Sequence, residues 1–143
     1  VRRGCRKGEY CSDMTRTFVF GEPSEKLREV HDTVRRANEA ARKLVAPGVR
    51  FCDIDAAARS IIEEAARLYF THRLGHQIGL DVHEPGDVSA AHDAPVQAGM
   101  VFSIDRASYL PGEFGVRIED LVLVTEDGCE VLNSYPRELV SIG

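Results

Sequence analysis

No stretch of the chain approaches the ~20 consecutive apolar residues that cross a bilayer, which excludes a transmembrane helix. No apolar segment follows the basic start in the manner of a secretory leader. The reading therefore expects no signal peptide and a cytoplasmic location. Positive charge is outnumbered: 18 Lys and Arg stand against 23 Asp and Glu, a formal net charge of −5. An acidic balance of this kind argues against general nucleic-acid binding and against anionic membranes, both of which need a basic surface. The four cysteines, Cys5, Cys11, Cys52 and Cys129, include no C-x-x-C pair, so neither a zinc knuckle nor a thioredoxin-like motif is supported. Reduced, partly buried thiols are expected instead. Internal repeats and low-complexity tracts are absent. So is a G-x-S-x-G nucleophile elbow, which weakens any metal-free hydrolysis by Ser103 or Ser108 with His72 or His83 as base.

What remains is ordinary globular text. With 143 residues, 43% apolar and 29% charged, the chain has the length of one domain and can bury a core without disulfides. It begins Val1-Arg2-Arg3 with Arg6 and Lys7 close behind, and reads as starting inside a larger design.

Residues 9–20 carry Thr15, Thr17, Val19 and flanking aromatics, which favour a strand. Ser24 is a candidate N-cap for a helix with Leu27, Val30, Val34, Ala37, Ala41 and Leu44 at spacings of three and four. Pro47-Gly48 ends it. A second helix, rich in alanine, is expected from Asp53 or Asp55 to Leu68. Residues 69–95 lose periodicity and gain Gly, His, Asp and Pro, the composition of a loop. Strands follow at 100–109 and 114–125 about a Pro111-Gly112 turn, and Glu126-Asp127-Gly128 marks a hairpin. The order predicts an α+β fold with helices on one face of a mainly antiparallel sheet.

His72, His76 and His83 lie within twelve residues of each other. Asp13, Asp105 and Glu119 interrupt strands that are otherwise apolar. A carboxylate in a sheet interior needs a cation or hydrogen bonds, because a lone buried charge is costly. Carboxylates with an imidazole would suit a hard or borderline divalent metal. Each residue alone has a plain structural reading: a solvated strand face for Asp or Glu, packing for His, or a pair between His72 and Glu84.

The segments Tyr10-Cys11-Ser12-Asp13-Met14-Thr15-Arg16-Thr17, Gly75-His76-Gln77-Ile78-Gly79-Leu80-Asp81-Val82-His83-Glu84, Gly99-Met100-Val101-Phe102-Ser103-Ile104-Asp105 and Val116-Arg117-Ile118-Glu119-Asp120 together resemble the pita-bread metallopeptidases. These are the Xaa-Pro dipeptidases, aminopeptidase P and methionine aminopeptidases, and the likeness is greatest to the Xaa-Pro dipeptidase branch. The resemblance implies a partial pita-bread (creatinase/aminopeptidase-like) domain over residues 1–143, the C-terminal part of a catalytic domain. It also implies a metal-dependent exopeptidase acting on short peptides. Family members hold two divalent ions with two Asp, one His and two Glu. Such a pair, about 3.5–4 Å apart, polarises a peptide carbonyl and activates a shared water.

By the same resemblance, Asp13, His76, Asp105 and Glu119 correspond to metal ligands, Asp105 also to the general base. His83 corresponds to the histidine that helps stabilise the tetrahedral intermediate, His72 to a substrate-contacting histidine, and Arg117 to an arginine that orients ligand carboxylates. The departures are Arg2 at the place of the first Asp ligand, Asp105 for Glu, Gln77 for Gly, and Arg106 in the place of Pro. The first half of the family's domain has no counterpart here. The implied cofactor is manganese, cobalt or zinc, with one ion, two or none left open. A truncated or engineered module without catalysis is the alternative, in which the Arg2 guanidinium pairs with Asp13 or Glu119 in place of a cation. A missing half would leave apolar surface for a homo-oligomer or partner chain to cover.

Overall fold

The computed structural model describes residues 1–65 and 73–143. The basic start is not a loose lead-in but two short strands, β1 (Arg2–Arg3) and β2 (Arg6–Lys7). The strand expected over 9–20 is broken into β3 (Tyr10–Cys11), β4 (Met14–Thr15) and β5 (Phe18–Phe20), and β2 pairs with β3 and β1 with β4. Arg16 stands between β4 and β5. Its side chain is buried and spans out of the strand to the carbonyls of Thr15, Glu119, Tyr135 and Pro136.

Helix α1 (Glu25–Leu44) begins where the sequence places it: the Ser24 hydroxyl accepts the Leu27 N–H. Glu25 in its first turn and Arg42 and Lys43 in its last complement the helix dipole. Helix α2 (Phe51–Glu64) begins earlier than Asp53, and without a side-chain cap. The N–H groups of Phe51 and Cys52 donate instead to the carbonyls of Ala94 and His92, at 3.2 and 2.8 Å. These satisfy helix N-terminal donors that a sequence reader assigns to a capping residue. Phe51 itself is buried, stacked on His92 and edge-on to Phe102. The expected continuation of α2 to Leu68 lies outside the described residues.

The expected loop at 69–95 contains two strands, β6 (Gly75–Gln77) and β7 (Glu84–Val88). Long strands β8 (Val101–Leu110) and β9 (Phe114–Val124) form the hairpin read from the sequence, and β10 (Cys129–Val131) follows it. An unexpected β11 (Val140–Ile142) runs parallel to β5. The main sheet has the order β1-β4-β9-β8-β6-β7, with β10 on β9, and all its pairings are antiparallel.

Alternation along β8 and β9 separates two faces. Phe102, Ile104, Val116, Ile118 and Val122 pack with Val30, Val34, Ala37 and Ala41 of α1 and Ile54, Ala58 and Ile62 of α2 in one core. Ser103, Asp105, Arg117 and Glu119 therefore share the other face, since Asp105 pairs directly with Glu119 and Ala107 with Arg117. Among the described residues, no helix is long and apolar enough to cross a membrane.

Candidate metal centre

Three strands deliver the central group. Asp13 precedes β4, His76 lies in β6 and Glu119 in β9, and one ligand atom from each falls within 4.8 Å of the others. All three are buried. The register explains the meeting: Thr15 of β4 is paired with Glu119, and its hydroxyl donates to Glu119 Oε2 at 2.6 Å.

His76 is placed by backbone contacts. Its N–H donates to the Ser103 hydroxyl at 3.1 Å, and its Nδ1 lies 3.1 Å from the Gln77 carbonyl. A carbonyl can only accept, so Nδ1 carries the hydrogen and the neutral ring turns the Nε2 lone pair inward. Gly75 makes this approach possible, because a Cβ there would sit 1.8 Å from the Ser103 carbonyl oxygen.

Two buried atoms at this centre, His76 Nε2 and Glu119 Oε1, have no hydrogen-bond partner among the described residues and face each other at 3.6 Å. Buried polar atoms are otherwise almost always paired. Two ligands on one tetrahedral divalent ion, each at about 2.0–2.2 Å, stand about 3.4 Å apart. The spacing and the donor set therefore fit a single ion between them. Burial works against the His76 charge, but Glu119, the Gln77 carbonyl and Asp13 outweigh it, so its pKa lies above the ordinary histidine value. Glu119 shows the reverse balance. Burial raises its pKa, yet His76, Thr15, Arg117 and Arg2 together hold it below the ordinary value.

The remaining predicted residues surround a cavity of about 290 Å³ lined by Arg2, His76, His83, Asp105, Tyr109 and Arg117 among others. Asp105 stands outside the group of three and is gripped by Arg117, whose Nε and Nη2 donate to its two oxygens at 2.8 and 2.5 Å. Arg117 Nη2 also reaches Glu119 Oε2 at 3.3 Å. The exposed His83 ring lies 4.3 Å, centre to centre, from the His76 ring. Its small burial and then the charges of His76, Arg2 and Arg73 hold its pKa below the ordinary value. His72 lies outside the described residues. Glu84, an alternative partner for it, accepts the Leu80 and Asp81 N–H groups.

The departures do not gather in one place. Arg2 is at the centre: its Nε donates to both Asp13 oxygens at 2.9 and 3.1 Å, and its Nη2 closes the fork on Asp13 Oδ2. Gln77 lies beside Gly86, where a Cβ would come within 2.4 Å of its Nε2; Gly86 has φ +113°. Arg106 does not join the cavity. Alternation puts it on the helix face of β8, fully buried, where burial lowers its pKa to about 10 against the nearby Asp55.

Thr15, Ser103 and Gly75 position the centre without having been singled out for it by sequence. Their one available signal is closeness in sequence to Asp13, Asp105 and His76.

Residues 1–126 match the metallopeptidase family M24. The chain belongs to that family. An uncharacterized peptidase of Staphylococcus aureus is 49% identical over 129 residues, which is 90% of this chain and 37% of that protein. The X-Pro aminopeptidase of Thermotoga maritima superposes with a TM-score of 0.93 at 40% identity, covering 97% of this chain and 40% of the other. A recombinant prolidase of Thermococcus sibiricus gives 0.94 at 42% identity, covering 97% and 38%. The fold is thus the α+β pita-bread arrangement, in part, and the chain spans well under half the length of these M24 relatives.

Proposed function

We propose that this chain carries the metal-holding part of a metal-dependent exopeptidase of the Xaa-Pro dipeptidase or aminopeptidase type, acting on short peptides in the cytoplasm. Residues 1–143 then form one C-terminal fragment of the pita-bread catalytic domain. The observation that carries this reading is the buried Asp13, His76 and Glu119 group with two unpartnered ligand atoms aimed at each other. A manganese, cobalt or zinc ion there would supply Lewis-acid polarisation and an activated water.

The chain's own residues do the rest. Thr15 and Arg117 hold Glu119 in its ligand orientation through Oε2, leaving Oε1 inward. Asp105, fixed by Arg117, presents a carboxylate to the cavity as the base that takes the water's proton. His83, kept neutral near pH 7, can donate a hydrogen bond to the oxygen that gains charge as the peptide carbonyl is attacked. The same reading assigns His72 to substrate binding. A second copy or a partner chain completes the site's surroundings.

Isothermal titration with Mn²⁺, Co²⁺ and Zn²⁺, followed by turnover of an Xaa-Pro dipeptide, tests the reading. Micromolar or tighter binding that falls at least about tenfold in His76→Ala is expected. Binding no tighter than millimolar overturns it.

A further inference from the structure

We infer that the Arg2 guanidinium serves as a built-in cation at this centre, filling the place beside Asp13 that a second metal ion would need. The inference rests on the metal-holding reading above and concerns how many ions the centre takes.

The geometry divides the centre into two halves. On one side, His76 Nε2 and Glu119 Oε1 are buried, without a hydrogen-bond partner among the described residues, 3.6 Å apart. On the other, both oxygens of the buried Asp13 are engaged by the Arg2 fork. A guanidinium presents its donors in a fixed plane that matches a carboxylate, and it stays charged at every accessible pH. It therefore does for Asp13 what a bridging cation does: it neutralises the buried carboxylate and fixes its orientation.

Charge points the same way. Asp13, Asp105 and Glu119 bring three negative charges to the centre, and Arg2 and Arg117 two positive ones. One divalent ion leaves the group with a single positive charge; a second would leave three around the buried Asp13 and Glu119, where such an excess is costly although the Arg2 side chain is itself 44% exposed. Exchanging Arg2 for an aspartate changes the local charge by two, the charge of one divalent ion, and adds a ligand in the same stroke. β1 is tied to β4 by backbone pairing at Arg2 and Arg3. The position of residue 2 beside Asp13 thus does not depend on its side chain.

The test is metal stoichiometry, by native mass spectrometry and isothermal titration with Mn²⁺, on the full chain and on Arg2→Asp, Arg2→Lys and Arg2→Gln. One equivalent is expected for the unaltered chain and for Arg2→Lys, and two for Arg2→Asp. Arg2→Gln removes the charge without adding a ligand; it should keep one equivalent and bind it about tenfold tighter, because a neighbouring positive charge is gone.

Two equivalents in the unaltered chain overturn the inference. So does a folded Arg2→Asp that takes no more metal than the unaltered chain. Should Arg2→Asp fail to fold, an Arg2→Gln affinity equal to that of the unaltered chain overturns it. If the unaltered chain takes no metal and Arg2→Asp takes one equivalent, the proposed metal-dependent function fails while the role of Arg2 stands. If both take one, the reverse holds.

Discussion

Asp120 is fully buried on the helix side of the sheet, where Arg16 and Arg137 donate to it at 2.6 and 2.7 Å and Arg42 of α1 approaches to 3.9 Å. Removing one partner of a buried ionic group leaves the others uncompensated, at about 3–5 kcal/mol. Asp120→Ala should lose stability of that order in urea unfolding. His31 titrates in the opposite setting. It is buried in α1, its Nε2 without a hydrogen-bond partner among the described residues; burial first and then Arg35 lower its pKa, against Asp32 and Glu138. The unfolded chain then binds a proton more readily than the folded one, so the His31 contribution is full above about pH 6.5 and is lost as pH falls from there through the lower folded value. His31→Gln should flatten the stability loss between about pH 7 and 5, measured by urea midpoints across that range. At the metal centre the raised pKa of His76 works through competition. Metal binding displaces a proton there, so Mn²⁺ affinity should weaken as pH is lowered, beginning above the ordinary histidine value of about 6.5.

Strands β6 and β8 approach each other as closely as a missing side chain allows. Gly75→Ala would press a methyl into the Ser103 carbonyl and push β6 away, carrying His76 with it. A loss of about 1–3 kcal/mol is expected from overpacking, together with weakened Mn²⁺ binding; unchanged affinity in titration would contradict this account. The same segment shows the limit of sequence reading at this scale. Glu84-Pro85-Gly86-Asp87-Val88 has the composition of a turn, yet it is β7, held by pairing to β6 around a bulge at His76 and Gln77. Helix α1 was legible because periodicity and cap are both local. The start of α2 was not, since its first donors are satisfied by carbonyls about forty residues away.

Large apolar side chains stand in solvent across the molecule, with Phe20 86% and Tyr10 65% exposed. Val1, Tyr135 and Ile142, all exposed, line one hollow together with Met14 and Phe18, and apolar surface gathered in this way marks contact sites. Light scattering of the purified chain should therefore give a mass above 15.8 kDa; a strict monomer would contradict the expected oligomer or partner.

Local sequence carries the α+β class, the main hairpin, the first helix and the family motifs, and Asp13, His76 and Glu119 lie in those motifs. Those depend on local periodicity, turn chemistry and residue identity along the chain. The fold settles that Arg2 grips Asp13 rather than Glu119, that both oxygens of Asp105 are taken by Arg117, and that Arg106 lies beneath α2 away from the centre. Those outcomes depend on strand register and on which face of a strand a residue occupies. Both are fixed by pairing between segments that lie far apart in sequence.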